Sequence, residues 1–161
     1  MPPSATENGL VVLLRLPVKG KVKSRIAAQS DEDTALCIYQ ALVEITMDTI
    51  SGLPMPAYLM YEGGLPQEKL RQPAMHYALQ PEGDLGEKIW RAAELGLSHH
   101  RYVVIIGSDC PELSGEIITE AFDKLRSHDI VLGPAADGGY YLIGCKKASP
   151  TLFENIAWGS D

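Results

Sequence analysis

Apolar residues fall along the chain in two alternating patterns, short runs and helical spacings. Residues 10–16 form a short apolar run broken only by Arg15, which reads as a buried strand. Pro17 ends it, and Gly20 permits a turn. Ser30 with Asp33 resembles a capping box, with Asp in the place usually held by Glu. Leu36, Tyr39, Leu42 or Val43, Met47 and Ile50 then keep helical spacing until Gly52 and Pro54. Residues 57–61 predict a second strand and residues 75–79 a short third. The connection between them is polar and holds two glycines and two prolines. Asp84 with Glu87 opens a helix with Leu85, Ile89, Ala93 and Leu97 on one face. Residues 102–106 are an unbroken apolar run, as in a strand covered on both faces. Residues 113–127 predict a helix whose core side carries Ile117, Ile118, Ala121, Phe122 and Leu125. Strands follow at 130–132 and 140–143. Strands alternating with helices predict a three-layer α/β/α, Rossmann-like domain with a mostly parallel sheet.

The chain has 161 residues, enough for one core without disulfides or a structural metal. At 45% hydrophobic and 22% charged residues it has globular composition, which excludes a disordered or collagenous protein. The net charge of −7 argues against general binding to nucleic acid or anionic membranes. No apolar run approaches the ~18 residues of a membrane span. Residues 1–9 are polar and include Glu7, unlike a signal peptide. Cys37, Cys110 and Cys145 form no disulfide framework and no CxxC pair. A cytoplasmic protein is expected.

Charge is distributed unevenly. Residues 8–30 contain no acidic residue but hold Arg15, Lys19, Lys21, Lys23 and Arg25. A compact cationic loop in an acidic chain suits one small anion, although a solvated basic loop would read the same way.

Ligands of open α/β sheets bind at the carboxyl ends of the strands. Three polar clusters directly follow strands. In the first, residues 17–25, a glycine lets backbone N–H groups approach an anion while Lys and Arg supply charge. It is neither a Walker A loop nor a dinucleotide fingerprint. In the second, residues 107–111, Asp109 follows a buried strand. A carboxylate there suits Mg²⁺ or Mn²⁺ completed by substrate phosphates, or else caps the next helix. Cys110 lacks a nearby His and reads as a small packed residue rather than a nucleophile. In the third, residues 137–141, Asp137 precedes Gly138 and Gly139. Asp137 is a candidate metal ligand or hydroxyl acceptor, and Asp-Gly is equally a favoured turn pair. A fourth segment, residues 80–86, is a candidate for packing against a base, with Asp84 already accounted for as a cap. His99 and His100 receive no role, and Trp90 reads as core or interface.

These segments together resemble the GT-A-like nucleotide-diphospho-sugar transferase family, including the radical-SAM/selenodomain-associated and arsenosugar-biosynthesis-type transferases. The resemblance is carried, in family order, by Arg15-Leu-Pro17 with Gly20-Lys-Val-Lys-Ser-Arg25, Gly83-Asp-Leu-Gly-Glu87, Gly107-Ser-Asp-Cys-Pro111 and residues 132–144. Ser24 stands where the family usually has Thr. Residues 157–161 stand where it usually has Trp-Ser-Thr and continues for some tens of residues. The expectation is therefore one nucleotide-sugar transferase-like domain over residues 1–161, short at its C-terminus.

The resemblance implies that Lys23 and Arg25 contact nucleotide phosphates and that Asp109 holds Mg²⁺ or Mn²⁺. It also implies that Asp137, Gly138 and Gly139 lie beside sugar or acceptor. Arg15, Pro17, Gly20, Gly83, Asp84 and Ser108 complete the expected nucleotide site, and Tyr140 joins the substrate side. Asp109 and Asp137 are the candidate catalytic residues. The expected activity is metal-dependent glycosyl transfer from a nucleotide sugar. The alternatives are a small-molecule nucleotidyltransferase using a nucleoside triphosphate and a non-catalytic nucleotide-binding module. Expected partners are the nucleotide and a small-molecule acceptor, not nucleic acid or membrane, with a homodimer as the assembly to test for.

Overall fold

The computed structural model describes residues 6–64, 66 and 68–154. The tail at 157–161, where the chain departs from the family pattern, lies outside these residues. Six strands form one sheet: β1 (Asn8–Arg15), β2 (Ala57–Glu62), β3 (Met75–Leu79), β4 (Tyr102–Ile106), β5 (Ile130–Pro134) and β6 (Tyr140–Cys145). Their order is β3-β2-β1-β4-β6-β5. The first four run parallel, while β6 is antiparallel to both β4 and β5. The expected mostly parallel α/β fold is the observed one.

Alternation along the strands assigns the layers. Leu10, Val12 and Leu14 of β1 and Val104 and Ile106 of β4 face one side. There they meet Tyr39, Val43 and Met47 of α2 (Glu32–Ser51) and Ile118, Phe122 and Leu125 of α4 (Gly115–Leu125). Val11, Val103 and Ile105 face the other side, against Ile89, Ala92 and Ala93 of α3 (Leu85–Leu97). All five residues of β4 are buried, as a strand covered on both faces requires.

Several local expectations are corrected. The short α1 (Ser24–Gln29) has too few residues to show a periodic pattern. The cap of α2 is Asp31, not Ser30, and its carboxylate accepts from Thr34 N–H at 2.7 Å. Asp84 caps α3 as expected, accepting from Glu87 N–H. Leu85 is exposed, because α3 turns Gly86 and Ala92 inward instead. α4 starts two residues later than expected, capped by Ser114, so Asp109 is not a helix cap. His100 is buried, with ring nitrogens 2.8 Å from the Tyr58 hydroxyl and 2.8 Å from the Thr6 carbonyl. Among the described residues no helix is long and apolar enough to cross a membrane.

Candidate functional site

The parallel register brings the carboxyl ends of β1, β2 and β4 to one edge of the sheet. Arg15 and Glu62 are direct partners at the ends of β1 and β2. Val12 pairs with Ile106, so Gly107 and Ser108 leave β4 beside the end of β1. A cleft of about 1110 Å³ opens at this edge, bounded by the start of α3 and the β5–β6 hairpin. Its walls include Arg15, Gly83, Ser108, Asp109, Asp137, Gly139 and Tyr140. Seven residues proposed from sequence in four separate segments thus share one cavity. Pro17, Gly20, Lys23, Arg25, Asp84 and Gly138 are not on its wall.

The cationic loop is shaped by its own residues. Gly20 has φ +78°, and Lys21 N–H closes a turn onto the Val18 carbonyl at 3.0 Å. That conformation favours glycine. Val22 is buried in the core and anchors the loop. Lys23 adopts the left-handed conformation, φ 48° and ψ 49°, and is the only described non-glycine residue with positive φ. Such backbone costs about 1–2 kcal/mol for a residue with a Cβ. It turns the Lys23 ammonium to Asp109 Oδ2 at 3.0 Å, linking segments 86 residues apart. Elsewhere in the loop, Lys19 pairs with Asp33 at 2.9 Å. Lys19 and Lys23 are thus directed at carboxylates rather than simply solvated.

A second charge cluster, Arg15, Glu62 and Lys88, lines the cleft. Glu62 accepts from Arg15 Nε at 2.9 Å and from the Lys88 ammonium. The Lys88 hydrogen bond is the main reason the Glu62 carboxyl is held below its ordinary range. Partial burial opposes this and Arg15 adds to it. Behind the site, Tyr39 O–H donates to the Arg15 carbonyl at 2.6 Å, and its oxygen lies 3.1 Å from Ser108 Oγ. Burial pushes the Tyr39 phenol up, while the Ser108 bond pulls the other way.

On the hairpin side, Gly138 has φ +88° and its N–H reaches the Ala135 carbonyl at 3.1 Å. Asp137 Oδ1 accepts from Gly139 N–H at 3.0 Å. The Asp-Gly pair thus makes the tight turn anticipated for it while holding one carboxylate oxygen of Asp137 at the cleft.

Asp109 and Asp137 both face this cavity. Among the described residues no group of three or more His, Cys, Asp or Glu side chains is arranged to hold a metal. One or two carboxylates completed by substrate oxygens and water is the donor set that fits Mg²⁺ or Mn²⁺. Tyr39, Glu62 and Lys88 were missed from sequence. Tyr39 carries helical spacing and reads as core; the signal was that a buried Tyr hydroxyl needs a partner. Glu62 reads as the start of a loop, yet it ends a parallel strand, where ligands bind.

The fold recurs in solved structures. A provisionally assigned nucleotide-diphospho-sugar transferase from Desulfovibrio desulfuricans G20 is 30% identical, with TM-score 0.86 over 96% of this chain and 71% of that one. A 4-diphosphocytidyl-2C-methyl-D-erythritol synthase from Anaerococcus prevotii DSM 20548 is 10% identical, with TM-score 0.55 over 92% of this chain and 73% of that one. A cytidylyltransferase from Leptospira borgpetersenii serovar Hardjo-bovis is 13% identical, with TM-score 0.57 over 92% of this chain and 63% of that one. The latter two share the fold alone. No functionally curated protein matches the sequence. Residues 46–160 match the family model DUF2064, described as uncharacterized protein conserved in bacteria, and the chain belongs to that family.

Proposed function

We propose that this protein is a transferase acting on a nucleotide-activated small molecule, with a nucleoside diphosphate sugar as donor and Mg²⁺ or Mn²⁺ as cofactor. The observation that carries the reading is the Lys23–Asp109 pair beside the cleft, which joins a cation and a metal-type carboxylate at the ends of β1 and β4. The 30% identity to a provisionally assigned nucleotide-diphospho-sugar transferase supports the choice of donor.

In this reading Lys23, Arg25 and Arg15 bind the diphosphate, with Pro17 and Gly20 shaping the loop that carries them. Gly83 and Ser108 line the nucleotide side, and Asp84 contributes by fixing the start of α3. A divalent cation on Asp109 would supply Lewis-acid charge at the diphosphate leaving group. Lys23 and Arg25 stabilise the same developing charge. Transfer breaks the bond between the sugar carbon and the diphosphate oxygen and forms one to an acceptor oxygen. The acceptor proton passes to Asp137, a residue of the cleft wall whose Oδ1 is held by Gly139 N–H at 3.0 Å. Gly138, Gly139 and Tyr140 border the sugar and acceptor.

One observation favours a second reading. Five cations within residues 15–25 suit a triphosphate, as in a nucleotidyltransferase. The two reactions leave different products. Incubation with Mn²⁺, candidate acceptors and either donor class should release an intact nucleoside diphosphate from a nucleotide sugar. The same nucleotide sugar should raise the melting temperature more than the matching triphosphate. Pyrophosphate release from a triphosphate would select the second reading. No melting shift with any nucleotide up to ~5 mM, well above typical substrate KM values, would contradict both.

A further inference from the structure

The Tyr39 hydroxyl takes no part in the chemistry above. Its residue is 6% exposed and lies in the α2–α4 core layer, so its ring is fixed by packing. Its O–H donates to the Arg15 carbonyl at 2.6 Å. A phenol carries one proton. With that proton on Arg15, the 3.1 Å contact to Ser108 is a bond donated by Ser108 to Tyr39. Ser108, 5% exposed, has therefore committed its own proton and has none to offer a phosphate. One hydroxyl thus ties the last residue of β1, where the cationic loop begins, to the residue before Asp109. These are the two segments that Lys23 and Asp109 bridge at 3.0 Å.

We infer that Tyr39 is the positioning residue of the site: its hydroxyl holds the loop after β1 and the loop after β4 at the spacing where Lys23 and Asp109 act on one ligand. The inference rests on reading the cleft as a phosphate site. α2 supplies no other residue to the cleft wall and serves as the rigid support behind both loops. Ser108 is the β4 end of the tie rather than a donor to the ligand.

Magnesium pyrophosphate carries the diphosphate chemistry common to both donor classes and is the probe. Calorimetry on the full chain compares Tyr39→Phe, Lys23→Ala and the double variant. The expected result is a loss of roughly three- to tenfold in affinity for Tyr39→Phe, the scale of one hydrogen bond. The double variant should lose clearly less than the product of the two single losses, because Lys23 no longer has a position to benefit from. A plain stability defect would leave the affinity of the folded protein unchanged or the two losses multiplicative, and either result overturns the inference. Hydrogen exchange without ligand gives a second readout. Tyr39→Phe should speed exchange in residues 16–23 and 107–110 but not in 130–145. Unchanged exchange, or an equal rise along the whole chain, overturns the inference. If the wild-type protein binds no pyrophosphate, the phosphate reading fails, and the exchange result still decides whether Tyr39 ties the loops. Should Tyr39→Phe fail to fold, Ser108→Ala cuts the same tie from the other side and is judged by the same outcomes.

Discussion

At the residue scale, Glu62 pairs with two cations of the cleft wall, Arg15 and Lys88. Arg15 alone would place an unneutralised guanidinium at the end of β1. Glu62 holds it in place and shares its other oxygen with Lys88. The Glu62 carboxyl lies below its usual value of 4.5, first because of the Lys88 hydrogen bond, with Arg15 adding. A depressed carboxyl contributes stability that is present above its unfolded pKa and is lost as pH falls through the lower folded value. Glu62→Gln should therefore flatten the fall in stability below about pH 4.5 and leave a residual slope, since Asp31 and Glu116 are also depressed. Urea unfolding between pH 2.5 and 7 measures this, and an acid limb unchanged in the variant would contradict the pairing. Among single residues, Asp109 and Asp137 were expected at the carboxyl edge of the sheet and both line the cleft, although their sequence context fitted a helix cap or a plain turn as well. Tyr39 and His100 were not legible, since a polar group hidden in a core pattern is indistinguishable from an apolar one until its partner is known.

At the scale of elements, all six strands were legible, with ends matched to within two residues, and the mostly exposed β3 was read to its ends. β4, buried throughout, was read to its ends, and the Asp-Gly signal correctly marked the turn between β5 and β6. Helix starts were harder, because neighbouring polar residues compete for the cap. Ser30 and Asp31 both precede α2, and Asp31 takes the cap, accepting from both the N–H and the O–H of Thr34. Asp84 presents the reverse case, a residue with two expected duties. Its side chain caps α3 by accepting from Glu87 N–H at 2.8 Å. Asp84→Ala should cost about 1 kcal/mol, whereas Asp84→Asn should be near neutral, because Asn caps as well as Asp. Thermal unfolding of both variants checks the cap. Nucleotide affinity of Asp84→Asn should match the wild type if the carboxylate acts only through the helix start; a large loss would mean that its charge faces the nucleotide directly.

At the scale of the whole molecule, a chain of net charge −7 concentrates its cations beside one edge of the sheet. The fold brings Arg15, two aspartates and a glycine turn to a single cleft, with Lys23 paired to Asp109 beside it. The convergence was legible in outline, since three polar clusters each followed a predicted strand. Which cation meets which carboxylate was not, because the Lys23–Asp109 contact spans 86 residues and depends on a left-handed backbone that no local pattern announces.

In the proposed function, metal and nucleotide diphosphate bind together on Asp109 and Lys23. Calorimetry of a nucleoside diphosphate with Mn²⁺ and with chelator, on wild type and Asp109→Asn, tests it most directly. The expected result is tighter binding with Mn²⁺ in the wild type, and loss of that enhancement in a variant that keeps its melting transition. Equal affinity with metal and chelator in the wild type would contradict it.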